Sequence, residues 1–316
     1  MKFGVRLMQN PTDVDVILQR ARLADALGFD SVWLPDHVMW PRPIAPAHAC
    51  VETWTTMTAV GAITERVRLG YAMLNPFLRA PALLAKMVTT LDQITKGRMI
   101  FSIGAGWYKA EYPAYGLPFI DDPQTRAAHE EEIVRLCRRL WTEPSPLTFH
   151  GEHVAVEDCY FYPPPYQQPH PPIWFGGDSD RTRRLVRELG DGWMMHPQQA
   201  PEHMAWLRAQ ADWPRRPMTY ATFTNCVVAD SRAEAIARTA DFTLTPAEKD
   251  REEMIRWTVL GPPEECVRRL EEMESWGLNY LYLIFDGDES LERFAREILP
   301  LFERRAASAG TVVAGA

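Results

Sequence analysis

The stretch Pro171-Pro172-Ile173-Trp174-Phe175-Gly176-Gly177-Asp178-Ser179, followed by an arginine-rich segment and then Gly190-Asp191-Gly192-Trp193, reads as strand, tight loop, helix and strand again. The apolar run breaks into two glycines, and Asp178 or Ser179 supplies an N-cap. Such a loop can hold an anion. Gly176 and Gly177 lack a Cβ, so backbone N–H groups can approach a ligand closely, and the helix N-terminus adds positive partial charge. The same residues also make a plain strand-to-helix turn, and the loop alone weighs the two readings evenly. The rest of the chain decides between them.

Upstream, a strand-loop-helix unit repeats with no room for hairpins. Strands fall at 2–7, 30–34, 67–73 and 98–103. The first helix carries Val14, Ile17, Leu18, Ala21, Ala24 and Leu27 at helical spacing, has capping-box-like residues at Thr12 and Asp15, and ends at Gly28. The proline-rich segment 38–50 excludes regular structure and leaves a long loop with apolar and aromatic residues. Helix resumes over 53–64, and Pro81 suits the first position of a helix running to Leu91. A long helix over 124–141 is followed by alternation around Gly151 that predicts a hairpin. Past the opening stretch, strands fall at 192–195, 218–228 and 279–285 with helices between them and a last helix over 291–305. Residues 241–260 fit no clean period and read as a polar insertion of helix and loop.

Eight strands, each followed by a helix, fit a closed (β/α)8 TIM barrel of the α/β class, with insertions after strand four and in the C-terminal third. An open doubly wound sheet needs a glycine fingerprint after its first strand, where this chain has Leu7-Met8-Gln9-Asn10-Pro11. The expectation is one domain over 1–305, with a hairpin insertion at about 145–170, a variable insertion at about 241–260 and a flexible tail over 306–316.

Composition narrows the class of function. With 34 basic against 42 acidic side chains the formal net charge is −8, and no basic block is long enough to overturn that, which argues against a general nucleic-acid binder. The cysteines Cys50, Cys137, Cys159, Cys226 and Cys266 form no C-x-x-C pair and have no histidine at metal spacing, so no metal site is expected. The first residues lack an apolar signal core and no apolar run is long enough for a bilayer, which reads as a cytoplasmic protein.

In a barrel the C-terminal strand ends converge on one face, where sites are built. Asp36, His37 and Trp40 follow strand two, Asn75 follows strand three, Gly104-Ala105-Gly106 follows strand four and Gly176-Gly177-Asp178-Ser179 follows strand five. Taken alone, His37 is better explained as a loop histidine bonded to backbone, a preference its place after strand two reverses, and Trp54, Trp174 and Trp193 mainly as core.

Three segments in this order resemble the bacterial luciferase-like flavin- and deazaflavin-dependent oxidoreductases. They are Arg68-Leu69-Gly70-Tyr71-Ala72-Met73-Leu74-Asn75 with Arg79-Ala80-Pro81, then Leu91-Asp92-Gln93-Ile94-Thr95-Lys96-Gly97-Arg98 with Gly104-Ala105-Gly106-Trp107, and finally the opening stretch with Gly190-Asp191-Gly192-Trp193. The resemblance implies a flavin or deazaflavin across the barrel mouth with its phosphate at Gly176 and Gly177. It implies a non-prolyl cis peptide near Tyr71-Ala72-Met73, and cofactor contacts from those three residues, from Asp36 and Asn75, from Gly104, Ala105 and Gly106, and from Asp178 and Ser179. His37 then stands beside the reactive ring face as a proton donor or acceptor, with Trp40 as its catalytic neighbour. A pocket lined by Trp40, Met73, Phe77 and Trp107 suits a small apolar or aromatic organic substrate.

The chain departs from the family's F420-dependent sugar-phosphate dehydrogenases, which place a catalytic carboxylate directly after the glycine pair. Here Trp107 follows Gly106 and Glu111 comes four residues later, which argues against sugar-phosphate oxidation. Arg181, Arg183, Arg184 and Arg187 read as a solvated helix face with one member near the cofactor tail. His37 with Trp40 after strand two resembles the pattern of deazaflavin users, so the first reading is hydride transfer with coenzyme F420, and the second a monooxygenase using reduced FMN. The third is a non-catalytic flavin-binding protein. Relatives are often dimers, so a homodimer is an expectation, with neither nucleic acid nor membrane as partner.

Overall fold

The computed structural model describes residues 1–9, 13–41, 49–210, 217–242 and 249–305. Its strands are β1 (Lys2–Arg6), β2 (Ser31–Leu34), β3 (Arg68–Tyr71), β4 (Phe101–Ile103), β5 (Leu147–His150), β6 (Ala155–Cys159), β7 (Ile173–Gly176), β8 (Gly192–Met195), β9 (Thr219–Val228), β10 (Val259–Gly261) and β11 (Tyr280–Phe285). Parallel strands β1, β2, β3, β4, β7, β8, β9 and β11 alternate with helices, and the fold is an α/β barrel of the (β/α)8 type. Strands such as β2 and β8 are buried at every position. Their short, continuous apolar runs follow from cover on both faces.

Two compact units can be described. One comprises Met1–Leu7, Gln19–Trp33 and the chain from Trp193 onward. Its strand β1 pairs in parallel with β2, Gly4 opposite Ser31, and with β11, Gly4 opposite Tyr282. β11 in turn pairs with β9, Tyr282 opposite Phe223. Phe3 packs edge-on against Phe294 and Phe302, with ring centroids 5.1 and 5.2 Å away. Those rings lie on the last helix, which begins at Asp288–Arg293, passes through a π-helical turn at Phe294–Ile298 and continues to Arg305.

The other unit comprises Met8–Leu18 and Leu34–Gly192. β4 pairs in parallel with β7, and isolated bridges Leu69↔Met99 and Leu74↔Ile103 join the β3 segment to the β4 segment. Arg98 closes the end of the helix Thr53–Ile63. Its guanidinium donates to the carbonyls of Gly61, Thr64 and Val67 at 2.8 Å each, satisfying acceptors that a helix C-terminus leaves open. The hairpin β5–β6 is antiparallel, and Glu132 of the helix Pro123–Thr142 accepts the backbone N–H groups of Glu152, His153 and Val154 in its turn.

The main difference from the sequence reading is β10. Residues 241–260 contain the helix Arg251–Trp257 and lead into a strand that extends the sheet beside β9, Leu260 opposite Val227. A three-residue strand carries too little periodicity to register in sequence. β9 serves two partners because it is ten residues long: Ala221 to Cys226 pair with β11 and Cys226 to Val228 with β10. The expected features at Thr12, within 42–48 and 243–248, and in the tail 306–316 lie outside the described residues. No described helix is long and apolar enough to cross a membrane.

Glu130, buried on the helix Pro123–Thr142, makes stability depend on pH. Burial pushes its carboxyl up to about 8, against the pull of Arg181 and with repulsion from Glu131 adding to the rise. The folded chain thus holds this proton more tightly than the unfolded chain. Its contribution is complete below the unfolded carboxyl pKa and drains away as pH rises through about 8. Thermal melts should show the wild type losing stability between roughly pH 5 and pH 9 more steeply than Glu130→Gln. Parallel pH profiles for the two proteins would contradict this account.

Candidate active site

The site is built at the ends of strands in the second unit. β2 runs out at Leu34, and the chain continues through Pro35 into Asp36, which is 3 % exposed. A carboxylate so deep needs partners, and it accepts three hydrogen bonds from two residues. Arg79 donates Nη1 to Oδ2 at 2.7 Å and Nη2 to Oδ1 at 3.0 Å, a two-pronged fork, and the Asn75 N–H donates to Oδ2 at 2.9 Å. Burial alone would pull the Arg79 guanidinium down, but Asp36 opposite it holds its pKa above the ordinary value. Arg79 also reaches Glu52 at 3.2 Å and lies over the Trp54 ring, 5.4 Å from its centroid. This cluster joins the end of β2 to the loop after β3 and to the start of the helix Thr53–Ile63.

His37 follows directly. Its carbonyl accepts from the side-chain amide of Gln9 at 2.5 Å, and its ring is turned toward Glu111, with Nδ1 3.2 Å from Oε2. Glu111 is fully buried at the start of the short helix Glu111–Ala114, and its Oε2 also accepts the Val38 N–H at 3.1 Å. The rings of Trp40, Trp107 and Tyr108 stand edge-on around the imidazole at 5.8, 5.8 and 6.2 Å. His37 itself is partly exposed. One ring nitrogen therefore points into protein while the imidazole keeps access to solvent.

The peptide Ala72–Met73 is cis, where the resemblance places it. Met73 packs against both glycine loops. A Cβ on Gly176 would lie 2.4 Å from Met73 Cγ, so the ends of β3 and β7 approach this closely only with glycine at 176, and one on Gly104, 3.1 Å from Met73 Cβ, would crowd the same side chain. Gly106 has φ 64, and a Cβ there would meet the Tyr112 hydroxyl, which donates to Asn75 Oδ1 at 3.1 Å. Burial pushes the Tyr112 phenol up to about 12, so it remains the donor. Ala72, Met73, Gly104, Ala105, Gly106, Gly176, Gly177 and Asp178 are all partly exposed, although the strands before them are buried. They form an accessible rim.

β7 is the fifth parallel strand in chain order, and its loop opens the helix Asp180–Leu189. Gly177 has φ 119, and within 4 Å of its Cβ direction stands only Thr182 Oγ1, at 3.3 Å. Ser179 is the N-cap, accepting the Thr182 N–H at 3.1 Å. A backbone loop opening a ten-residue helix beside a rim of glycines fits the phosphate end and the planar ring of a flavin-type cofactor.

Several expected roles change. The Tyr71 side chain is fully buried and stacks on Trp54, ring centroids 5.1 Å apart, so it packs the strand against a helix and offers no ligand contact. Trp40 is 2 % exposed and acts as a wall behind His37. Phe77 does not join Trp40 and Trp107. It lines a separate cavity of about 500 Å³ with Pro118, Ile120, His129 and His153, its ring edge-on to His129. Arg181 and Arg184 both donate to Glu131 at 2.7 Å, which ties their helix to Pro123–Thr142 and leaves neither committed to a cofactor tail. Sequence reasoning missed the partners Arg79, Gln9 and Tyr112 and read Glu111 only as a misplaced carboxylate. Glu111 had one usable signal, its place shortly after the Gly104-Ala105-Gly106 loop.

The profile of the family described as luciferase-like monooxygenase matches residues 1–280. A monooxygenase, RslO1, from Streptomyces bottropensis has a similar structure, with a TM-score of 0.79 and 23% identity over 96% of this chain and 100% of its own. An F420-dependent secondary alcohol dehydrogenase in complex with an F420-acetone adduct superposes with a TM-score of 0.75 and 22% identity, over 94% of this chain and 98% of its own. A coenzyme F420-dependent tetrahydromethanopterin reductase from Methanopyrus kandleri gives 0.74 and 19% identity, over 95% of this chain and 99% of its own.

Replacing Asp36 by Asn would strip a buried guanidinium of its main counter-charge while Glu52 remains. Denaturant unfolding of Asp36→Asn should show a loss of about 3 kcal/mol, the scale for breaking a buried ion pair on one side. A loss below about 0.5 kcal/mol, as for an exposed pair, would remove Asp36 from its organising role.

Proposed function

The chain belongs to the luciferase-like monooxygenase family, and from that premise we propose that it is an oxidoreductase using coenzyme F420 to pass a hydride to or from a small organic substrate. The observation that carries the reading is the contact between His37 Nδ1 and the buried Glu111 carboxylate. When bound, the deazaflavin supplies the hydride chemistry. The protein's task is to hold it and to manage the accompanying proton.

A carboxylate only accepts hydrogen bonds, so Glu111 assigns the Nδ1 proton of His37 and leaves Nε2 as the basic nitrogen. Nε2 takes the hydroxyl proton when an alcohol is oxidised and returns it when a carbonyl is reduced. Glu111 holds the tautomer and compensates the imidazolium that forms. Trp40, Trp107 and Tyr108 limit rotation of the ring. Ala72, Met73, Gly104, Ala105 and Gly106 would hold the ring system, Gly176, Gly177, Asp178 and Ser179 the phosphate, and Asp36 and Asn75 the scaffold between them. Trp107, half-exposed beside His37, favours a substrate with an apolar or aromatic body.

Use of reduced FMN in a monooxygenase is the competing reading, supported by the match to the family profile and by RslO1 among the similar structures. Both readings use the same rim. A third is a flavin carrier, for which His37 and Glu111 would be idle.

Titration of the purified protein with coenzyme F420 and with FMN, followed by fluorescence, should show the tighter binding for F420. Tight FMN binding with no F420 binding would overturn the proposal. His37→Ala should retain F420 affinity and lower kcat by about 10²- to 10⁴-fold. Glu111→Gln should also lower kcat, with its pH profile displaced from that of the wild type. Unchanged turnover in His37→Ala would remove the proton-transfer role.

A further inference from the structure

In the first unit, the strands β1, β2, β9 and β11 present alternate residues to opposite faces. One face is closed: Phe3 and Val5, Leu281 and Leu283, Thr222 and Thr224 are buried, with Phe3 packed on the last helix. The opposite face carries a column of rings. Trp33 stacks on Tyr282 at 5.3 Å and 23°, Tyr282 on Phe223 at 5.4 Å and 9°, and His196 meets Phe223 edge-on at 5.5 Å. At the top of this face Arg6, Phe223, Asn225 and Ile284 are all partly exposed, while their chain neighbours Val5, Thr224, Cys226 and Leu283 are not. Reduced exposure on one side and retained exposure on the other mark a face that lines open space.

Arg6 is the unusual member. Its guanidinium lies deep enough for burial to pull its pKa down, offset in part by Tyr282. A guanidinium nevertheless keeps its charge in a protein. Among the described residues no carboxylate pairs with it, and its buried Nε has no hydrogen-bond partner. A charge held in the fold without a counter-charge costs stability, and a purely structural arginine would be matched as Arg79 is matched by Asp36.

We propose that Arg6 anchors a binding site for a small carboxylate with a planar aromatic body. The guanidinium fork fits the two oxygens of one carboxylate, and the partly exposed Phe223, backed by the buried Tyr282, gives the ring a surface to lie along. A phosphate would call for further cationic donors, and an uncharged ligand would leave Arg6 as it is. The inference rests on this unit alone and holds for whichever cofactor the protein uses.

Calorimetric titration of the full-length protein with benzoate and with its neutral isostere benzamide tests the proposal. Benzoate should bind and benzamide should bind about ten- to hundredfold more weakly, the scale of a charge-assisted bond. Arg6→Leu should abolish the preference and Arg6→Lys should keep part of it. Because the unpaired charge is removed, Arg6→Leu should also melt at or above the wild-type temperature, and benzoate should raise the melting temperature of the wild type only. Equal binding of the two probes, no binding of benzoate at millimolar concentration, or an unstable or insoluble Arg6→Leu would each overturn the proposal, the last by showing that Arg6 is structural.

Discussion

The fork between Asp36 and Arg79 is the constraint on which the candidate active site depends. A carboxylate with 3 % exposure is tolerable only when its lone pairs are taken up, and here a guanidinium and the Asn75 N–H take them. The consequences run in both chain directions. Toward β3, the loop Asn75 to Arg79 is held against the end of β2, which places Asn75 Oδ1 to accept from Tyr112. Toward His37, the backbone leaves Asp36 with no freedom to wander, and Gln9 fixes the next carbonyl. Thr53 Oγ1 donates to the Pro35 carbonyl at 2.7 Å and ties the helix Thr53–Ile63 to the same point.

Chemistry is layered on this support. Glu111 is a carboxylate with two assigned duties, the Val38 N–H and the His37 ring, and both arise from its position at the start of a short helix after the Gly104-Ala105-Gly106 loop. That loop can pass so near Asn75 and Tyr112 only because Gly106 occupies the left-handed region and has no Cβ. Packing, backbone conformation and the orientation of the imidazole are therefore one problem. Cys50, whose thiol burial pushes up to about 11, sits beside His37 as a packing residue that does not compete for its proton.

Much of this architecture was legible in the chain. Parallel strands joined by helices follow from apolar runs of four to six residues alternating with amphipathic segments, and the strand Gly192–Met195 was bounded correctly by its glycine and its following proline. Ser179, one of the two N-cap candidates in its loop, stands at the helix start and caps it. The glycine loops and the cis peptide were found from three motifs in order. β10 was not found, since its three residues are held by pairing with β9 and carry no period of their own. Nor was the split of roles among aromatic residues: Tyr71 and Phe77 have the composition of pocket walls, but one stacks on a helix and the other turns to a different cavity.

What the sequence determined by itself was local: which segments form strands and helices, where they start, and which short motifs stand at strand ends. Hydrophobic period, capping and glycine conformation are properties of neighbouring residues, so they are written where they act. Only the tertiary structure decided the pairings. Glu111 lies 74 residues from His37, Arg79 lies 43 from Asp36, and Glu131 lies 50 from Arg181. It also decided which arginines are spent on neighbours and that, among the described residues, no carboxylate pairs with Arg6. Such partnerships are set by which strand ends the closed packing brings within 3 or 4 Å, and nothing in the local pattern of a chain encodes a distance across the fold.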